Sequence, residues 1–376
     1  MGASPDWAEI RAEFPALRRW TYLNTATFGQ VPRCAVQAVA LHFARRDALA
    51  CSDFLAWFDD ADRIRALVAR LINASPADIA FIPNAATALG LLLGGLDWRP
   101  GDRIVTLESE FPNSIYHPAL LSCHGIEFIE VPWEGFWEAV TPNTRLVVVS
   151  EVNYITGFRV PLRDAAPELR RRGVLLFVDG TQSAGALRFD ARQVAPDMYA
   201  VHGYKWLLAP NGAGFMYVHP ELRERLMPNV IGWRSHQNWR QVDNLHHGAP
   251  VFPAEAEKYE GGMLTFAVLY AMEASLRLIL EIGVENIERR VLELAGKVRD
   301  VARKLGAQLL SDDSPHYDSP VVAARFAQRP AAELARELAR RHVLVSARHD
   351  FLRISPHFYN NEEDIARLEQ ELSCLL

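Results

Sequence analysis

The chain has 376 residues, 49% of them hydrophobic, and 40 Lys and Arg against 46 Asp and Glu leave a net charge of −6. That length supports one large core with a smaller satellite, and an acidic balance without a basic stripe argues against nucleic acid as a partner. No apolar run approaches the roughly 20 residues that cross a bilayer, the opening residues do not read as a secretion signal, and Cys34, Cys51, Cys123 and Cys374 are too scattered for a zinc or dithiol motif, so a cytoplasmic protein with no membrane and no metal is expected.

Trp7, Ile10, Phe14 and Leu17 recur at helical spacing and predict an amphipathic arm over residues 1–20. Tyr22 to Gly29 breaks the pattern. Pro32 then opens a helix to about Ala50, and a second helix spans Asp59 to Ile72. The first apolar strand, Ile79 to Ile82, runs directly into Pro83-Asn84-Ala85-Ala86-Thr87 and a helical stretch. A strand entering a helix through small residues leaves backbone N–H groups pointing outward, a geometry that binds phosphate; a plain helix cap by Asn84 or Thr87 is the alternative.

Strands at Arg103 to Leu107, Ile126 to Val131, Leu146 to Ser150 and Val174 to Val178 alternate with helices at Asn113 to Cys123 and Leu162 to Arg172. This rhythm predicts an α/β fold with a mainly parallel sheet covered by helices on both faces. Helical crossovers bring the C-terminal ends of such strands to one edge. That edge would gather Asn84 to Thr87, Glu108 to Phe111, Glu151 to Thr156, Asp179 to Gln182, and Lys205. Phe111, just past a strand, is placed to stack on a flat ligand or to join the core.

The run from Val174 to Met216 is the centre of the chain. One apolar strand ends on Asp179, and a second, Met198 to Val201, leads through His202, Gly203 and Tyr204 to Lys205. Only four lysines occur, and Lys205 alone is flanked by Gly, Tyr, Trp and Leu. A desolvated amine holds its proton weakly and becomes a nucleophile, the condition for a Schiff base with an aldehyde cofactor. Pyridoxal phosphate needs such a lysine and a carboxylate facing its ring nitrogen, roles that fit Lys205 and Asp179; an Asp179 that caps the following turn and a Lys205 that reaches out of a loop to water are the alternative.

The stretch 231–262 lacks periodicity and reads as a lid or interface loop, and its three histidines match no metal-ligand spacing. Two long amphipathic helices follow to about Leu305, breaking at Ile282-Gly283-Val284. The tail reads as a small α+β domain with strands at Val321 to Phe326, Val343 to Ser346 and Phe351 to Ser355. A helix covers Ala331 to Arg341, and another is opened by a capping box of Asn360 with Glu363. A domain division of 21–260 and 261–376 follows, with the N-terminal arm packed on the smaller unit. Arg353, between apolar neighbours, either pairs with a buried acid or awaits a carboxylate.

Three motifs in order, VDGTQSAG around Asp179, HGYKWLLAPNGAGF around Lys205 and LRISPHFYNNEED around Arg353, resemble those of the class V aminotransferase family. These are the fold-type I pyridoxal-phosphate enzymes that include cysteine desulfurases, kynureninases and isopenicillin-N-epimerase-like proteins. The resemblance implies that Lys205 forms the Schiff base and that Asp179 partners the pyridine nitrogen. It further implies that Gln182 bonds the phenolic oxygen, that Ala86, Thr87, Tyr204 and His202 contact phosphate, and that Phe111 is the stacking ring. Arg353 would hold the substrate's α-carboxylate, with Asn24 beside the substrate. A homodimer acting on an amino acid or amine is implied as well.

Two departures narrow the reading. Val343 to Arg353 contains no cysteine, so a cysteine desulfurase is not expected, and Met263 stands where the family carries a phosphate-contacting Thr from the neighbouring subunit. Transamination is the favoured reaction, with β-elimination or epimerisation as alternatives. From another class, a catalytically silent sensor would be expected to lose Lys205 or Asp179, and both are present. A nicotinamide dehydrogenase lacks its G-x-G-x-x-G after a strand.

Overall fold

Side-chain alternation along the strands decides the architecture, which we describe from a computed structural model covering residues 5–310 and 314–376. The strands are β1 (Thr21–Tyr22), β2 (Ile79–Ile82), β3 (Arg103–Leu107), β4 (Glu127–Val131), β5 (Thr144–Ser150), β6 (Leu175–Asp179), β7 (Met198–His202) and β8 (Gly214–Val218). Toward the C-terminus follow β9 (Gln308–Leu309), β10 (Val322–Arg325), β11 (Val343–Leu344), β12 (Ser346–Arg348) and β13 (Phe351–Ile354).

Seven strands form one sheet in the order β2-β8-β7-β6-β5-β3-β4. Val147, Val149, Leu176 and Val178 face one apolar layer, while Leu146, Val148, Leu175 and Phe177 face another. Both faces are therefore buried, which is why these strands read as continuous apolar runs. β3 to β7 pair in parallel, whereas β8 is antiparallel to both β7 and β2. Six of the seven C-terminal ends thus reach the same edge.

A second sheet, β12-β13-β10-β9, carries the C-terminal part, and β1 pairs in parallel with β11. The helix Phe266–Ile282 lies beyond residue 260, yet its Phe266, Leu269, Met272 and Leu276 join the core of the large sheet. The next helix, Val284–Lys304, passes from that core to the apolar cluster under the small sheet, which starts at Leu294. Gly283, with φ of +87°, makes the break between them.

The segment 231–262 is irregular, with short 3₁₀ turns, and is pinned near both ends by one acid. Glu260 accepts from Arg65 at 2.7 Å, from Arg234 at 2.9 Å and from the Phe81 amide of β2 at 2.8 Å. The expected capping box shifts by one residue: Asn361 caps the last helix with Asp364. Asn360 is instead buried, donating to Tyr22 O at 3.0 Å and to Asp364 at 2.8 Å. Two Asn side by side offered the same spacing, and the tie to Tyr22 decided which one caps.

Candidate active site

Asp179 closes β6 and Lys205 follows the end of β7, two neighbouring parallel strands. Their adjacency, and not their separation in sequence, brings the charges together. Lys205, Asp179, Gln182, Phe111, His202 and Tyr204 line one cleft, together with Ala85 and Tyr154. The Lys205 amine is buried, and its Nζ donates no hydrogen bond among the described residues. It lies 5.5 Å from the centre of the Phe111 ring and 5.3 Å from that of Tyr204. Burial pushes the amine down to about 7; Asp179 opposes that shift, while Arg353 and Arg348 add to it.

Asp179 accepts from the Thr181 amide at 2.8 Å. Burial pushes its carboxyl up, and the bonds from Thr181 and the charge of Lys205 pull it back. Gln182 is held at both ends, donating to Ala26 O at 3.0 Å and accepting from Trp206 Nε1 at 3.0 Å. One N–H of its amide remains for a ligand. His202 accepts from the Gly212 amide at 3.3 Å, and burial pushes its imidazole down to about 4. It therefore faces the cleft as a neutral ring. Phe111 meets Tyr154 edge to face, at 5.2 Å and 85°.

The backbone around Lys205 is tightly fitted. Gly29 donates to Tyr204 O at 2.9 Å, and a Cβ at Gly29 would fall 1.8 Å from Lys205 O, so only glycine admits the N-terminal segment here. His357 reaches across from beyond β13 to Trp206 O at 3.0 Å. Both ends of the chain thus grip the lysine turn.

At the start of the helix Ala85–Gly95, Asn84 Oδ1 accepts from the Thr87 amide at 3.0 Å and from its hydroxyl at 3.2 Å. Asn84 is the cap. The amides of Ala85 and Ala86 keep no acceptor among the described residues, so capping and an outward-facing pair of donors coexist. Ala86 is exposed and Thr87 half-buried, and of this turn it is Ala85 that lines the cleft.

At Arg353 one of the two alternatives, the pair with a buried acid, is not formed. The residue is 1% exposed and makes no ion pair among the described residues. Its Nε donates to Ser346 Oγ at 3.1 Å and its Nη1 to Tyr154 O at 2.7 Å, while Nη2 donates to Thr27 Oγ1. Burial and the neighbouring Arg348 push it down to about 9. Asn24 sits one step back, accepting from the Thr27 hydroxyl at 2.8 Å.

Three residues at the site were not singled out in the sequence. Thr27 links Asn24 to Arg353, and Arg348 donates to the same hydroxyl at 3.3 Å. Glu110 lies buried behind Phe111, accepting from the Ser150 amide at 2.7 Å and from its hydroxyl at 2.5 Å; burial pushes its carboxyl up to about 7. The sequence signals were a hydroxyl inside Asn-Thr-Ala-Thr, an arginine two residues beyond Ser346, and an acid beside the exposed ring. None of these is specific without the fold.

The family model of aminotransferase class V matches residues 21–368. The chain belongs to that family. It is 29% identical to isopenicillin N epimerase of Streptomyces clavuligerus over 99% of each chain. It is 26% identical to a probable cysteine desulfurase of Methanothermobacter thermautotrophicus, covering 97% of this chain and 96% of the other. Among solved structures it is similar to the apo cysteine desulfurase of Thermococcus onnurineus NA1, with a TM-score of 0.89, 20% identity, and coverage of 100% and 99%. Fold type I is therefore the fold of this class V chain.

These likenesses do not support setting the desulfurase reaction aside on the missing cysteine in Val343 to Arg353, since a relative by sequence and a similar solved structure both carry that name. No cysteine lines the cleft, and Cys374 stands exposed near the end of the last helix. Pyridoxal phosphate is the cofactor of class V enzymes, and the residues present fit it. Among the described residues a buried amine lacks a partner, a carboxylate ends the adjacent strand, two free amides open a helix, and an aromatic ring lines the same cleft.

Proposed function

We propose that this class V enzyme transaminates an amino acid, with Lys205 as its base. The observation that carries the reading is the Lys205 amine, buried, free of protein hydrogen bonds and brought down to about 7. A base poised near neutrality takes and returns a proton with the least free-energy cost. When bound, pyridoxal phosphate supplies a carbonyl that joins an amine and a ring that draws off the electron pair left at Cα.

The chain's own residues do the rest. Lys205 Nζ would hold the cofactor's carbonyl carbon until the substrate amine takes its place, and the freed amine would remove the α proton. Asp179, the carboxylate at the end of β6, keeps a ring nitrogen protonated. Ala86 would hold phosphate through its free N–H, with Tyr204 through its O–H and His202 as a neutral imidazole, and Thr87, whose amide and hydroxyl both bond Asn84, would have to exchange those bonds to join them. Gln182 would offer its remaining N–H to the phenolic oxygen, and Phe111 would supply an aromatic surface for the ring. Arg353 grips the α-carboxylate, with Thr27 and Asn24 fixing its fork, which restricts the bond at Cα that breaks.

Phe111 carries no proton to donate, and Tyr204 is raised by burial, so proton return falls to Lys205. Inversion at Cα would need a second acid on the opposite side. Epimerisation is the second reading, supported by the 29% identity to isopenicillin N epimerase. The reading extends to a cytoplasmic homodimer. Val36, Leu41, Phe43 and Leu49 of the helix Arg33–Leu49 stay exposed, as do Tyr116 and Leu120, apolar surface suited to a second copy.

An amino-acid panel, scored separately for keto acid, inverted product and released sulfide, tests the assignment. Keto acid is expected as the main product, falling by about 10²- to 10⁴-fold in Lys205→Ala. Inverted product without keto acid would replace transamination with epimerisation.

A further inference from the structure

Two arginines meet at one hydroxyl beside the cleft, and the hairpin that carries them explains why. β12 and β13 pair antiparallel with Ser346 opposite Arg353 and Arg348 opposite Phe351, joined through His349 and Asp350. Residues directly opposite share a face, as do residues two apart on one strand, so Ser346, Arg348 and Arg353 belong to one face of the hairpin. Arg353 Nη2 donates to Thr27 Oγ1, and Arg348 Nη2 donates to the same oxygen at 3.3 Å. The Thr27 hydroxyl spends its proton on Asn24 Oδ1 at 2.8 Å, leaving its lone pairs for the two guanidinium groups.

Neither arginine has an acidic partner among the described residues. Asp350, which could have served Arg348, is turned to Arg325 at 3.2 Å. With Lys205, three basic side chains converge here, and among the described residues lining the cleft Asp179 is the sole carboxylate. One α-carboxylate satisfies one guanidinium fork; a second fork held beside it calls for a second anion.

We propose that Arg348 is a specificity-determining residue that binds a carboxylate on the substrate's side chain, so that the enzyme acts on dicarboxylic amino acids. The inference rests on Arg353 holding the α-carboxylate, and it separates from the choice of reaction. Arg353, buried and fixed by Ser346, Tyr154 and Thr27, takes the carboxylate common to all amino acids. Arg348, half-buried and bonded otherwise only to Ala347 O at 2.8 Å, is free to swing toward the longer arm.

Calorimetry on the pyridoxal-phosphate-loaded protein tests this without turnover, with succinate and glutarate set against butyrate and valerate, which differ from them by one carboxylate. The diacids are expected to bind at least about tenfold more tightly, the worth of one charge-assisted contact. Arg348→Gln should abolish that preference while changing monoacid affinity less than about threefold. Arg353→Gln should weaken both classes. Equal loss of monoacids and diacids in Arg348→Gln would overturn the proposal, because both arginines would then share one carboxylate, and so would a wild-type protein that binds both classes alike. Turnover of glutamate and aspartate against glutamine and asparagine, run in parallel, reports on the reaction. Diacid preference without keto acid would sink transamination and leave the second anion site standing.

Discussion

Two of the places where this molecule buries arginine do so in opposite ways. At the foot of the irregular segment, Arg65 and Arg234 both close on Glu260, a carboxylate sealed from solvent. Burial works to lower the pKa of Arg65, and Glu260 more than reverses it, so the guanidinium ends above its ordinary value. Beside the cleft, Arg353 is buried as deeply but meets only neutral oxygens and another arginine, and it falls to about 9. A charge whose partner is built in ties segments together. A charge whose partner is missing marks where a ligand supplies one.

The sharpest way to break this contrast is Glu260→Gln. It removes the acid from between two buried cations, and unfolding free energy should drop by about 3–5 kcal/mol, read by denaturant titration. A loss below 1 kcal/mol would mean the cluster is solvated and that burial of arginine says little here. The next is Arg353→Leu, which takes away a charge that has no acidic partner among the described residues. Its cost should appear as a rise in KM for carboxylated substrates of about 30- to 100-fold, the size of a lost charged hydrogen-bonded pair. Cofactor absorbance should survive; its disappearance would make Arg353 a structural residue.

The smallest effect is a shift on the pH axis. With burial pushing the Lys205 amine down to about 7, the neutral fraction grows as pH rises through that value. In cofactor-free protein the rate of capture of pyridoxal phosphate should therefore rise to a plateau just above pH 7, followed by visible absorbance. A rise that continues toward pH 10 would mean that Lys205 behaves as an exposed lysine.

The strand-helix rhythm was legible in the sequence because the central strands are buried on both faces, and with it the adjacency of Asp179 and Lys205. The reversed direction of β8 was not, since a buried antiparallel strand and a buried parallel one share the same apolar pattern. Arg353 could be picked out by its apolar neighbours, but the decision between ion pair and ligand site depended on what surrounds it in space. Arg348 and Thr27 are ordinary in sequence. They acquire meaning only where β12 and the N-terminal segment are brought together. The capping box missed by one residue because Asn360 and Asn361 carry the same chemistry, and only the contact of Asn360 with Tyr22 separates them.

Borohydride reduction of the pyridoxal-phosphate-loaded protein, followed by peptide mass mapping, tests the central claim most directly. The account predicts a phosphopyridoxyl mass on the peptide containing Lys205, and its absence from Lys258, Lys297 and Lys304. A modification on any of those three, or none at Lys205 in protein that retains its absorbance, would contradict it.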